Sequence, residues 1–120
     1  METTIYDKKG MPCAYLATDD GRTIYLWNGQ PVAYLDGENI YGFNGKHLGW
    51  FKRKRVMYDK NGRRIGFTNV TCPSALQVEP KKSAKKTKPV KTAKTATVKE
   101  PDFKLSKSEI NLSDFLQSGR

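Results

Sequence analysis

A chain of 120 residues makes one small domain, or a smaller domain with a tail. Apolar residues account for 37% and charged residues for 28%, and 22 Lys and Arg against 12 Asp and Glu give a net charge of +10. No run approaches the ~18 apolar residues of a membrane span, and the Met-Glu-Thr-Thr start lacks the basic and apolar segments of a secretory signal. A transmembrane protein is excluded, and a cytoplasmic rather than a classically secreted chain is expected. Two cysteines, Cys13 and Cys72, are too few for a disulfide framework or a four-ligand zinc site.

In chain order, the first 68 residues are dominated by self-similarity. Ile5 to Leu16, Ile24 to Leu35, Ile40 to Phe51 and Met57 to Thr68 are ungapped copies of one pattern. Each reads apolar, Tyr, three residues, Gly, two residues, apolar, Ala or Gly, aromatic. The tyrosines Tyr6, Tyr25, Tyr41 and Tyr58 stand 19, 16 and 17 residues apart.

The unit predicts a β-hairpin. Asn28-Gly29, Asn44-Gly45 and Asn61-Gly62 tolerate positive φ, a strong hairpin signal, and Lys9-Gly10 keeps the glycine. Aromatic and branched neighbours suit strands. Strict alternation places the apolar residue and the aromatic after the glycine on one face. Ala14, Ala33, Gly49 and Gly66 then point to the other. Small residues at one equivalent locus suggest four hairpins about a pseudo-fourfold axis, where bulk would collide; room for a neighbouring aromatic is the alternative. One hairpin is not stable alone, whereas four sharing a core can be.

These four Tyr-x3-Gly-x2-apolar-small-aromatic units resemble the four-fold β-flower domain family, over about Ile5 to Thr68. The resemblance implies an all-β fold of four hairpin repeats around a central axis, and supplies no enzymatic activity or ligand to carry over to this chain. YD repeats and MORN repeats share part of the spacing but run at longer periods.

No catalytic constellation emerges. Cys13 occupies the slot of Val32, Leu48 and Ile65 and reads as a small buried hydrophobe. His47 is the only histidine, with no ligand cluster or nucleophile at a useful spacing. Asp7 and Asp59 share one repeat position, where an Asp before a tight turn bonds local backbone. The four repeat tyrosines read as core residues with hydrated hydroxyls, an aromatic ligand cage being the alternative.

Charge is unevenly placed. Residues 1–45 hold 3 basic and 6 acidic side chains, whereas residues 46–73 hold 8 and 1. Asp19-Asp20, Asp36 and Glu38 follow the first two copies, and Lys52-Arg53-Lys54-Arg55 follows the third. Arg63-Arg64 adds to the basic side, and Trp50 and Phe51 are expected beside it as exposed aromatics. Arginine next to exposed aromatics suits nucleic-acid binding through phosphate contacts and stacking. A solvated loop, or pairing of opposite faces between copies, would also use such charges.

From Lys81 to Lys99 there are eight lysines, no acid and no aromatic. Such a segment cannot bury enough apolar surface to offset its ordering entropy, so a disordered basic linker is expected at 73–104. Lys81, Lys82, Lys85, Lys86 and Lys88 would neutralise phosphates without sequence preference. The competing readings are a self-repelling spacer and attraction to anionic membrane surfaces. Beyond it, Ser106-Lys107-Ser108-Glu109 matches a capping box. It precedes Ile110, Leu112, Phe115 and Leu116, predicting a short amphipathic helix within 105–118 that docks on a partner or back on the β domain.

The expected architecture is therefore a four-repeat β domain at 3–72, the linker, and the helical segment. The expected function is a non-enzymatic module that binds DNA, RNA or another polyanion through the basic hairpins and the lysine tail. The rival is a protein adaptor in which the β domain and the helix engage different proteins and the lysines are only a spacer. Neither needs a cofactor or a metal.

Overall fold

The repeat units become four antiparallel hairpins in a computed structural model of the chain, which describes residues 2–19 and 22–120. Asp20, part of the first acidic connector, lies outside these. The hairpins are β1 (Thr3–Tyr6) with β2 (Pro12–Leu16), β3 (Thr23–Leu26) with β4 (Pro31–Asp36), β5 (Asn39–Gly42) with β6 (His47–Lys52), and β7 (Val56–Tyr58) with β8 (Arg64–Phe67). Each strand pairs antiparallel with the next, and a Tyr6–Phe67 pairing joins β1 to β8, closing an eight-stranded barrel.

Glycine shapes the turn within each of the four hairpins. The N–H of Gly10, Gly29, Gly45 and Gly62 donates to the carbonyl three residues earlier at 2.9–3.0 Å. Each glycine has φ of 80–88°, a left-handed conformation that side chains resist. The preceding asparagines are not left-handed; the loops are three-residue turns ending in the glycine. Asn28 and Asn44 instead accept the N–H groups of Gln30 and Lys46 at 3.0 Å. Asp7 does this for Lys9 and Met11, and Asp59 for Asn61 and Arg63, at 2.9–3.0 Å. The two carboxylates are thus turn residues.

Strict alternation fails at one place in each hairpin. Register shifts at Ile5/Tyr6, Ile24/Tyr25, Ile40/Tyr41 and Met57/Tyr58 mark a β-bulge on each second strand. The bulge turns two successive residues the same way, so Val32, Leu48 and Ile65 join Ala14 and Ala33 in the central cluster, with Cys13 packed against it. Tyr15 and Tyr34 are left to two separate outer clusters. The small residues pair with Ile5, Ile24, Ile40 and Met57 across the strands. A Cβ on Gly66 would stand 3.1 Å from both Ile5 Cγ2 and Met57 Cβ, and one on Gly49 would meet the Tyr58 carbonyl and the Phe115 ring. The small locus therefore makes room for the apolar partners that meet at the barrel centre.

The helix is shorter than the 105–118 expectation. Helix α1 (Leu112–Gln117) is capped by Asn111, whose Oδ1 accepts the Asp114 N–H at 3.2 Å. The Ser106–Glu109 capping box is not used, because its backbone pairs with β8. Ser106 O accepts the Arg64 N–H at 3.0 Å, and the Ser108 N–H donates to Arg64 O at 2.6 Å. Leu112, Phe115 and Leu116 share one face and complete the central cluster. The helix thus docks on its own barrel, leaving these three side chains unavailable to another protein. Ile110 stays 49% exposed and lines a cavity of about 360 Å³ with Leu48 and Phe115.

The 73–104 segment departs most from expectation. It has no helix or strand, yet it is not a detached, disordered tail. The N–H groups of Gln77, Lys86, Thr95 and Lys104 donate to the carbonyls of Gly10, Gly29, Gly45 and Gly62 at 2.8–2.9 Å. The four donors are nine residues apart. The N–H groups of Ser83 and Thr92 donate to Trp27 and Phe43 carbonyls at 3.2 and 2.8 Å. At the equivalent first position the Ser74 hydroxyl donates to Lys8 O at 2.7 Å; the fourth position is Pro101, which has no N–H. Four nine-residue units are visible: Pro73-Ser74-Ala75-Leu76-Gln77, Lys82-Ser83-Ala84-Lys85-Lys86, Lys91-Thr92-Ala93-Lys94-Thr95 and Glu100-Pro101-Asp102-Phe103-Lys104 begin them. The segment is a strap that visits the four turns in order and encircles the barrel. It needs no core of its own because it uses the barrel's unpaired carbonyls.

His47 fastens the strap at a further point. Its Nδ1 accepts the Val98 N–H at 3.0 Å, and its Nε2 faces Asn39 Oδ1 at 3.1 Å, a pairing that suits the neutral ring. Burial, and then the charge of Lys60, lower its pKa below 6.5. The unfolded chain therefore protonates first as pH falls. The latch contributes fully above about 6.5 and is lost below it, as the folded pKa is approached. Exchange of the Val98 amide, corrected for its intrinsic rate, should accelerate over that interval, and His47→Gln should abolish the pH dependence. Phe115→Ala, measured by urea denaturation of the full chain, should cost about 3–5 kcal/mol as a core deletion; a detachable helix would show no loss. Gly66→Leu should cost at least about 1–3 kcal/mol by overpacking.

Candidate anion-binding cleft

Around the barrel, the aromatic that ends one hairpin meets the tyrosine that begins the next. Tyr15 stacks on Tyr25 at 5.6 Å between ring centroids, and Tyr34 on Tyr41 at 6.1 Å. At the third junction, Phe103 of the strap inserts beside Trp50 (5.5 Å) and Tyr58 (4.6 Å). The three junctions take different strap residues because Lys85, Lys94 and Phe103 occupy the same place in the nine-residue frame.

Three of the lysines in the first two junctions are already paired with acids. Lys82 and Lys85 reach the Glu2 carboxylate at 2.9 and 2.7 Å, and Lys94 reaches Asp36 at 2.7 Å. Lys85 and then Lys82 lower the Glu2 pKa. Lys88 pairs with Asp19 at 2.9 Å. Burial works against ionisation of Asp19, but the Thr23 N–H and hydroxyl and the Lys88 ammonium prevail and hold it at about 2. Lys81 and Lys86 are exposed. The lysine tract therefore does not present itself as one free polycation; several of its charges face the acidic first half of the barrel.

The basic second half is different. Lys52, Arg53, Arg55 and Arg64 line one cleft of about 330 Å³, together with Tyr58, Phe103, Val56 and Thr71. The tight turn between β6 and β7 places the first three. Arg53 and Lys54 have φ of 54° and 55°, a strained pair for residues with side chains. Glu38 holds them there by accepting the Arg53 N–H at 2.7 Å while pairing with Lys52 at 3.0 Å. Thr71 donates to Arg55 O at 2.6 Å, fixing the end of the turn. Arg64 enters from the start of β8.

Lys52 is neutralised twice, by Glu38 and by Glu100 of the strap at 3.2 Å. No carboxylate among the described residues lies within 4 Å of the Arg53, Arg55 or Arg64 guanidinium. Arg64 Nε is also buried without a hydrogen-bond partner, a costly state for a charged donor. Of the basic hairpin residues singled out from sequence, Lys54 and Arg63 are exposed and do not line this cleft. Trp50 and Phe51 are 1% exposed each, so they are not the expected surface aromatics; Tyr58 and Phe103 take that place. Tyr58 was visible as a repeat tyrosine. Phe103 is found from sequence only by aligning the nine-residue frame of the strap.

Little else offers reactive chemistry. Burial, followed by the nearby Asp7 charge, pushes the Cys13 thiol up to about 11, leaving it protonated and inert at neutral pH. Among the described residues no group of three or more His, Cys, Asp or Glu could hold a metal ion. No described helix is long and apolar enough to cross a membrane.

Comparison with known proteins gives one finding. The family model described as 4-fold beta flower protein matches residues 3–116, taking in the hairpins, the strap and most of α1. No curated protein and no solved structure matches the chain. The match covers nearly all of the sequence, and the chain belongs to the 4-fold beta flower family.

Proposed function

We propose that the protein is a non-enzymatic binding module for nucleic acid, and that it holds phosphates in the cleft between the β6–β7 turn and β8. The observation that carries this reading is the contrast between the two halves of the molecule. Lys82, Lys85, Lys88 and Lys94 of the strap pair with Glu2, Asp19 and Asp36, while Arg53, Arg55 and Arg64 line a cleft with Tyr58 and Phe103 and have no carboxylate within 4 Å among the described residues. Guanidinium groups grip phosphate with several directed donors, and aromatic rings at the same place supply a surface for bases. The cleft is supported as the main contact and the lysine tract as a secondary one. The adaptor reading is weakened because Leu112, Phe115 and Leu116 belong to the barrel core.

Fluorescence anisotropy with a labelled single-stranded oligonucleotide, repeated over a salt series with the full chain, tests this. Each phosphate neutralised contributes roughly 0.7 to the slope of log affinity against log salt on single strands. Arg53→Ser combined with Arg55→Ser should flatten the slope by about 1.4. Lys82→Ser combined with Lys85→Ser should alter it far less, since these lysines already share Glu2. Absence of binding by the unsubstituted chain at low salt, or equal losses from both pairs, would overturn the assignment.

A further inference from the structure

The strap meets the barrel in two ways, and only one involves backbone. Its amides bond the turn carbonyls in all four units, but its side chains differ from unit to unit. In the second and third units, lysines enter the stacked tyrosine junctions. Lys82 Nζ lies 4.4 Å from the Tyr15 ring centroid and 5.2 Å from that of Trp27, and Lys85 lies 5.5 Å from Tyr25. Lys91 lies 4.0 Å from Tyr34, and Lys94 lies 5.6 Å from Tyr41. Each junction also supplies a carboxylate, Glu2 for the first and Asp36 for the second. The same Lys-x-x-Lys spacing thus fills two equivalent sites, each made of stacked aromatic faces and one acid.

That combination is selective for an ammonium group. Ring faces attract a cation through their quadrupole, and the acid adds a charge-assisted hydrogen bond. A neutral side chain of equal length loses the ring attraction and the ion pair, and keeps at most an amide hydrogen bond to the acid. In the fourth unit the ring pocket of Trp50 and Tyr58 accepts Phe103 instead, and in the first unit Leu76 stands in the equivalent position of the frame. The molecule therefore contains its own comparison between lysine-filled and apolar-filled units.

We infer that the Tyr15–Tyr25 and Tyr34–Tyr41 junctions are lysine-recognition sites, that Lys82, Lys85, Lys91 and Lys94 are their resident ligands, and that N-acetylation of these lysines releases the middle half of the strap. Acetylation, in which Nζ takes the acyl group of an acetyl thioester with release of the thiol and a proton, removes the charge that both attractions use, whereas N-methylation keeps it. The four lysines are at least partly exposed in place, within reach of a modifying reagent. This inference stands apart from the nucleic-acid reading, because it concerns the opposite, acidic half of the barrel.

Amide hydrogen exchange on the full chain tests it, with Lys82, Lys85, Lys91 and Lys94 replaced together by Gln, as a stand-in for acetyl-lysine, or together by Arg. In the Gln variant the amides of Ser83, Lys86, Thr92 and Thr95 should exchange on the order of tenfold faster or more. Those of Gln77 and Lys104, in the units with Leu76 and Phe103, should stay protected, as should the barrel strands. The Arg variant should behave like the unsubstituted chain. Unchanged exchange in the Gln variant would show that backbone bonds alone hold the strap. Equal loosening by Arg, or loosening that spreads to Gln77 and Lys104, would show that the junctions do not read the ammonium group. Either result overturns the inference. Chemical acetylation and reductive methylation of the unsubstituted chain provide the matching pair, and only the acetylated protein should lose protection at these four amides.

Discussion

The close approach of a strap carbonyl to each turn glycine is the contact on which the architecture depends. The carbonyls of Ala75, Ala84, Ala93 and Asp102 occupy the space where a Cβ on Gly10, Gly29, Gly45 and Gly62 would sit. The same glycines supply the positive φ that closes the three-residue turns. One missing side chain therefore serves two demands, and any replacement at these positions would both strain the turn and lift the strap. The nine-residue period follows from this geometry. The four units from 73 to 108 reach at most roughly 120–130 Å when extended, commensurate with the circumference of a disc 38 × 37 Å across. A strap stretched to that degree has no length to spare for a helix or a hairpin of its own.

Electrostatics then distributes the strap's composition around the barrel. The first 45 residues are acidic, and the lysine-rich second and third units lie against them, with Glu2, Asp19 and Asp36 as partners. The fourth unit begins with Glu100 and crosses the basic half, where it meets Lys52. Each of these ion pairs is partly exposed and so worth little alone. Their collective effect is register: a slip of a few residues would set lysines against the arginine-rich turn and move Glu100 away from its partner. Among the described residues these ion pairs engage Lys52, Lys82, Lys85, Lys88 and Lys94, and the arginines of the β6–β7 turn and β8 are among the cations left without a carboxylate within 4 Å.

The extent to which this was legible in the sequence depends on the kind of signal. The hairpins were readable because Tyr, Gly and the branched residues recur at fixed spacing. Ile24 and Ala33, for instance, announce their pairing through their counterparts Ile5 and Ala14. The bulge was not, since an extra residue on a strand leaves composition unchanged while altering which way Val32 points. The strap departs from expectation for a physical reason. Residues 73–104 cannot bury enough apolar surface of their own to order themselves. The barrel orders them instead, by offering the carbonyls of Gly10, Gly29, Gly45 and Gly62 to their amides. The recurrence of Ser or Thr followed by Ala at 74, 83 and 92 was present but hidden among lysines that looked like low complexity. Four of the cleft's cationic residues were found from charge clustering. Phe103 was not, because its role depends on a register that only the nine-residue frame reveals.

The two repeat systems together explain why the candidate cleft exists at only one junction. All four junctions inherit an aromatic pair from the hairpin repeat, so the barrel alone does not distinguish them. The strap supplies the difference. Where it places lysines over tyrosines, the nearby acid is already taken by them. Where it places Phe103 between Trp50 and Tyr58, the aromatic pocket is filled without adding a cation that needs a carboxylate. Glu38 and Glu100 are taken by Lys52, and no carboxylate among the described residues lies within 4 Å of the Arg53, Arg55 or Arg64 guanidinium around the cleft. A substitution of Phe103 by Lys would restore the pattern of the other two junctions. It would crowd a further positive charge against three guanidinium groups with no acid left to receive it, so the exception in the strap and the arginine cluster on the barrel are two sides of one constraint.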